Sequence, residues 1–261
     1  GVELANIMDE QGEQADLTAA NNVLAHVPDI NDFVGGFAAL LKPAGVSTFE
    51  FPHLLRLVSE NQFDTIYHEH YSYLSLTAVK KIFESNGLSV FDVETLSTHG
   101  GSLRVYAQRN DTGSHQTSDN VIKILDQEKS AGINCVDFYA GFQSKADRVK
   151  NDFLSFLIEA KRAGKTVAGY GAAAKGNTLM NYAGVRQDLL SYVVDLNPAK
   201  QDKFLPGSRI PIVGEKYIRK TQPDYVVIFP WNLRLEVVEQ LSYIREWGAK
   251  FVVAVPELEV L

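Results

Sequence analysis

Apolar and polar positions alternate along the chain in two strand–helix series separated by a long helical stretch. In the first series Val2 to Glu10 has helical spacing, and Ala15–Ala20 is a short apolar run predicted as a buried strand, closed by Asn21-Asn22 and Pro28. Asp29 is placed to N-cap a helix through Leu41, which Lys42-Pro43-Ala44-Gly45 would stop. Val46–Phe51 is predicted as a strand ended by Pro52, and Thr77–Ser85 as a helix ended by Asn86-Gly87. Two β-type runs follow, Leu88–Val93 and Ser102–Gln108, joined across His99-Gly100-Gly101. From Asn120 to Arg162 apolar residues recur at helical spacing, Val149, Phe153, Phe156 and Leu157 among them, up to Gly164. The second series has strands at Lys165–Gly169, Leu190–Asp195, Asp224–Phe229 and Lys250–Val255. Its helices are predicted at Lys175–Tyr182, Gly214–Thr221 and Leu233–Trp247. This alternation predicts α/β architecture with mainly parallel sheets covered on both faces.

At 261 residues the chain has room for about two domains of the usual ~100–200 residues. The polar stretch Asn110–Ser118, with Gly113, marks the expected boundary, giving domains 1–112 and 113–261. A hydrophobic share of 45% and a charged share of 22% exclude a disordered, collagen-like or coiled-coil chain. No apolar run reaches the ~18–20 residues of a membrane span, so no membrane partner is expected. The single cysteine, Cys135, excludes an internal disulfide framework and a cysteine-rich zinc site within these residues, and a reducing cytoplasm is the default compartment. A net charge of -7 argues against nucleic acid as a partner, yet residues 1–112 carry -9 and residues 113–261 carry +2. A polyanionic ligand would more readily meet the second half. The bland alternative is two differently charged solvated faces.

The densest chemistry lies in Asp64-Thr65-Ile66-Tyr67-His68-Glu69-His70-Tyr71-Ser72-Tyr73, in loop territory between a strand and a helix. Its His-x-His pair admits metal ligation if His26, His53 or His99 completes the set, and it equally admits an interfacial cluster with no chemistry. The third reading is proton transfer. Imidazole titrates near neutrality, a glutamate can orient it, and a tyrosine hydroxyl can donate to a developing oxyanion. That set suits removal of a proton next to a carbonyl, and His26, after the preceding strand, could serve the same chemistry.

A second motif, Gly169-Tyr170-Gly171-Ala172-Ala173-Ala174-Lys175-Gly176-Asn177, joins a strand to a helix, with Asp195 ending the next strand. Read bare, it is a GxGxxA dinucleotide fingerprint with a downstream acid, which would make the chain an NAD(P)-linked oxidoreductase. More generally, a helix N-terminus favours an anion, and Lys175 adds positive charge there. The alternative is that the small residues only allow tight helix–sheet packing.

The runs ANNVLAHVPD, FDTIYHEHYSYLSL, HGGSLRVY, GYGAAAKGNTLMNY, VVDLNPAKQDKFLPG and PDYVVIFPWN, in this order over nearly the whole chain, resemble the S-adenosylmethionine-dependent sugar C-methyltransferases. That resemblance implies a Rossmann-type methyltransferase domain followed by a second Rossmann-like domain that helps hold a sugar nucleotide. The implied substrate is a dTDP-linked 4-keto deoxysugar methylated at C-3. It also implies that His70 is the general base, with Tyr67, Glu69 and His26 in support, and that Gly169, Gly171, Lys175 and Asn177 face the substrate's phosphates. The family's zinc-binding cysteines and its ExGxGxG cofactor loop have no counterpart in these residues. The first domain is therefore expected to be incomplete, with zinc confined to a region upstream and Asn21, Asn22 and Val23 as the remaining cofactor contacts. Little S-adenosylmethionine affinity and no turnover are expected of such a fragment. A nucleotide-sugar binding module without activity is the non-enzymatic alternative.

Overall fold

The structure is a computed structural model and describes residues 1–261. It divides into two units: residues 1–59 with 68–140, and residues 60–67 with 141–261.

The first unit contains α1 (Val2–Glu10), β1 (Ala15–Asn21), α2 (Ile30–Leu40), β2 (Leu41–Pro52), α3 (Leu54–Ser59), α4 (Leu76–Ser85), β3 (Leu88–Leu96), β4 (Ser102–Arg109) and α5 (Asp119–Ala131). Its four-stranded sheet has the order β1-β2-β4-β3. The β1–β2 pair is parallel, and β4 runs antiparallel to both neighbours. Alternate residues of the strands face the helices, as the period of a strand requires, so Phe49, Leu103, Val105 and Val90 pack with Val79 and Phe83 of α4. Asp29 caps α2 by accepting from the Asn31 and Asp32 amides. One strand differs from expectation: β1 is an edge strand, with Leu17 66% exposed and only Ala20 buried.

The second unit contains α6 (Phe142–Arg162), β5 (Val167–Tyr170), α7 (Ala174–Tyr182), β6 (Val193–Val194), β7 (Ile212–Val213), α8 (Lys216–Thr221), β8 (Tyr225–Ile228), α9 (Arg234–Gln240), β9 (Lys250–Val253) and β10 (Glu259–Val260). Its strand order is β10-β9-β8-β5-β6-β7, parallel throughout except for β10. Successive residues enter opposite cores. Val167, Val227 and Val252 meet Phe153, Leu157 and Met180 on one face. Ala168, Val226, Ile228 and Phe251 meet Ile218, Val237 and Leu241 on the other. Both faces are covered, and the chain leaves β5 in one direction to β6 and β7 and in the other to β8 and β9. This is the doubly wound, Rossmann-like arrangement, and its topological switch point lies between β5 and β8. No helix is long and apolar enough to cross a membrane.

The division between units differs from the expected break at residues 112 and 113. It falls after Ala140, because Val121 and Ile124 of α5 complete the core of the first sheet. The helical stretch Asn120–Arg162 is likewise two helices. Gly132 takes a left-handed conformation (φ 78°), its amide reaches back to the Glu128 and Lys129 carbonyls, and α5 ends there. The expected helix Leu233–Trp247 is also shorter, with α9 stopping at Gln240 and a 3-10 turn following.

Candidate functional site

In the first unit the chain after β1 forms a 3-10 turn, Leu24–His26, and the histidine loop is fastened to it. The amides of Tyr71 and Ser72 donate to the Ala25 carbonyl at 2.8 and 3.3 Å. His26 Nδ1 lies 3.0 Å from the Glu69 carbonyl oxygen. A carbonyl can only accept, so Nδ1 carries the proton and Nε2 of a neutral His26 is left as the acceptor. The His26 and His70 rings sit 4.7 Å apart, and Tyr73 meets His70 edge-on at 5.9 Å. The structure thus brings His26, Glu69 and His70 together, while Tyr67 belongs to the segment that packs with the second unit. Glu69 does not act as expected of an orienting carboxylate. Its side chain is exposed, and its backbone oxygen makes the contact to His26.

Downstream the loop is held by a carboxylate that sequence reasoning missed. Glu128 of α5 is fully buried and accepts from His53 Nε2 (2.7 Å), the Leu76 and Thr77 amides (2.6 and 2.8 Å) and Thr77 Oγ1 (2.5 Å). It therefore caps α4, and the His53 backbone pairs with Leu74 alongside. Burial alone would raise the Glu128 carboxyl, but the bonds from His53, Thr77 and Leu76 outweigh it and hold the group below the usual glutamate value. His53 is committed to this hub. No group of three or more His, Cys, Asp or Glu gathers as metal ligands, so the His-x-His metal reading finds no ligand set.

In the second unit the glycine motif sits at the carboxyl end of β5, beside the switch point where open α/β sheets take their ligands. Gly171 has a φ of +90°, and a Cβ there would lie 2.6 Å from Pro230 Cδ. A Cβ on Gly169 or Gly176 would come within 2.5 Å of the Phe229 ring. These small residues serve close packing against the end of β8. Ala173, at the N-cap of α7, supplies no side-chain cap. Asp195 does not point outward as a dinucleotide-binding acid would. Its Oδ2 accepts from the Ala172 amide (2.8 Å) and Lys200 (3.1 Å), and its Oδ1 from the Asn197 amide (2.9 Å). With both oxygens occupied it braces the loop, which removes the main support for an NAD(P) reading.

Lys175 lies over the Trp231 ring at 4.1 Å and donates to Asn232 Oδ1 at 3.1 Å. Burial lowers its pKa, partly countered by the negative charge of Asp64. Asp64, 1% exposed, accepts from Trp231 Nε1 at 2.8 Å through Oδ2, while its buried Oδ1 has no hydrogen-bond partner. Burial pushes its pKa up to about 6, with Lys175 and the Trp231 N–H pulling the other way. Asn177 Oδ1, two residues beyond Lys175, is also buried and unpartnered. Asp64 and Trp231 each stand in a motif visible in the sequence, but their pairing links positions 167 residues apart and has no local signal.

The proposed cofactor contacts lie at the carboxyl end of β1. Asn21 is its last residue, Val23 is partly exposed, and Asn22, at φ 55°, donates its amide to the Glu50 carbonyl. Asn22 Oδ1 is buried without a partner, which fits a hydrogen-bond donor on a ligand such as an adenosyl group.

Together these features define an α/β protein with a histidine loop in one unit and a lysine-bearing glycine loop at the switch point of the other. Residues 97–256 match the family model of the C-methyltransferase C-terminal domain, and residues 3–93 match that of a methyltransferase domain. The chain belongs to the C-methyltransferase family. It is similar to the C-methyltransferase NovU of Streptomyces niveus, with 38% identity over 247 residues, 95% of this chain and 59% of that protein. The chain therefore spans about three-fifths of the length of that relative. Among solved structures, magnesium protoporphyrin IX methyltransferase from Synechocystis PCC 6803 with bound SAH has 19% identity and a TM-score of 0.30, over 38% of this chain and 47% of that one. A possible histamine N-methyltransferase from Thermotoga maritima has 15% identity and a TM-score of 0.32, over 38% and 57%.

Proposed function

We propose that this chain takes part in C-methylation of a nucleotide-linked 4-keto deoxysugar at C-3, with His70 as the general base. The observation that carries the reading is the His26–Glu69–His70 arrangement, in a chain of the C-methyltransferase family. A 4-keto group acidifies the neighbouring C–H bond. His70 removes the C-3 proton, and the resulting enolate carbon is the nucleophile. His26, with Nδ1 tied to the Glu69 carbonyl, holds the loop and presents Nε2 as an acceptor toward its surroundings. Tyr67 is assigned the hydrogen bond to the enolate oxygen, where charge builds up. The glycine loop of the second unit, with Gly169, Gly171, Lys175 and Asn177, takes the substrate's diphosphate. Lys175 supplies the positive charge, and α7 supplies an N-terminus that no side chain caps. S-adenosylmethionine, when bound, supplies an electrophilic methyl group, and Asn21, Asn22 and Val23 are the residues of this chain assigned to hold it.

The test is His70→Asn in a protein that carries a complete methyl-donor site. The variant should still bind sugar nucleotide and S-adenosylmethionine while methyl transfer falls by about 10²–10⁴-fold, the usual worth of a general base. Turnover near the wild-type rate would remove His70 from this role. Titration with NADH should show no binding, and saturable binding would restore the oxidoreductase reading.

A further inference from the structure

A phosphate arriving at Lys175 meets a lysine that already has an anionic neighbour. Asp64 bears electrostatically on Lys175, and Trp231 lies between them in a physical sense: its N–H holds Asp64 Oδ2 and its ring face carries the ammonium. The other polar contact of Lys175 from this turn is the neutral amide of Asn232. Among the elements packed here, the turn Phe63–Thr65 contributes Asp64, α7 contributes Lys175, and the turn Trp231–Leu233 contributes only neutral groups. A buried carboxylate beside a bound diphosphate would leave one ammonium facing two anions in a low dielectric, which is costly. Asp64 has a way out. Oδ2 is engaged by an N–H and must remain an acceptor, but Oδ1 is buried with no partner and is open to a proton.

Building on the reading of the glycine loop as a phosphate site, we infer that Asp64 is a positioning residue that holds Lys175 and Trp231 in place and releases Lys175 to the incoming phosphate by taking up a proton on Oδ1. The proton comes from solvent and forms one O–H bond, and no other bond is made or broken. Asp64 already stands at about 6 without a ligand, so a second anion need raise it only modestly for uptake near neutral pH.

The experiment is isothermal titration of the full chain with dTDP-glucose, a diphosphate diester with no titrating group of its own near neutrality, in two buffers of different ionisation heat. UDP-glucose serves as a second probe. For the wild type the inference expects uptake of about half a proton per site at pH 6.5, and about tenfold weaker binding at pH 8 than at pH 5. The sign follows from linkage: the bound state has the higher pKa, so binding is favoured on the acid side and weakens as pH rises through the free value. In Asp64→Asn the amide can still accept from Trp231. Uptake should vanish, the pH dependence should flatten, and affinity at pH 8 should exceed wild type. Wild-type binding without proton uptake would overturn the inference and leave the phosphate site standing, as would uptake undiminished in Asp64→Asn. Failure of the wild type to bind either probe would overturn the phosphate reading and this inference with it.

Discussion

Glu128 and Asp64 are both carboxylates buried from solvent, one in each unit, yet their pKa values are shifted in opposite directions. Glu128 receives four hydrogen bonds, shared between both oxygens, and is held ionised below its usual range. Asp64 receives one from Trp231, keeps Oδ1 empty and is pushed up to about 6. Burial pushes both groups up; at Glu128 the four donors outweigh it, and at Asp64 the Trp231 N–H and the Lys175 charge do not. The pair also flanks the histidine loop along the chain. Asp64 lies before Tyr67, and Glu128 grips Leu76 and Thr77 after it. One group is saturated and structural, and the other is unsaturated and open to change.

The comparison is most easily broken by removing each carboxylate. Glu128→Ala leaves the α4 amides and His53 without their acceptor and should cost about 3–5 kcal/mol in urea unfolding. A loss under about 1 kcal/mol would show that water replaces the carboxylate and that the hub is not structural.

The two groups should also give opposite pH signatures. Glu128 has a lowered folded-state pKa, so its contribution is present above the ordinary glutamate value and disappears as pH falls through its folded value. Asp64 is raised, so its contribution is full below the ordinary aspartate value and is lost as pH rises through about 6. The stability of wild type relative to Asp64→Asn should therefore fall by about 2–3 kcal/mol between pH 4 and pH 8. Thermal melts across that range read the difference, and a constant gap would mean that Asp64 is not perturbed.

Smaller changes sharpen the same contrast. Thr77→Val removes one of the four bonds to Glu128 and should cost about 1 kcal/mol, because the other three still hold the charge. Trp231→Phe removes the one bond to Asp64 and should drive its titration further upward, measurable by carboxyl NMR. A downward shift would show that Lys175 rather than Trp231 governs Asp64.

Local patterns made much of this legible. Asp29 marks the start of α2, Gly87 follows the end of α4, and Gly164 follows the end of α6. The alternation in the second half announces the parallel sheet. What failed depends on contacts distant in sequence. The polar run before Ser118 looked like a boundary, but Val121 and Ile124 beyond it are needed to close the first core. The site divides the same way. His70 is visible as part of a dense motif, and the structure sets the His26 ring 4.7 Å from it. The glycines of the second motif were visible too, but Phe229 and Pro230 account for three of them, and Asp195 braces the loop from within. Glu128 was unreadable because a glutamate at helical spacing is normally a solvated residue, and only its distant donors say otherwise.

The central claim, that His70 is the base, is tested most directly by proton exchange, a step that needs no methyl donor. The chain is incubated in D₂O with a dTDP-linked 4-keto deoxysugar, and the C-3 proton is followed by NMR. The account predicts enzyme-dependent loss of that signal, slowed about 10²–10⁴-fold in His70→Asn while sugar-nucleotide binding persists. Equal exchange by both proteins, or none by a wild type that binds the sugar nucleotide, would contradict it.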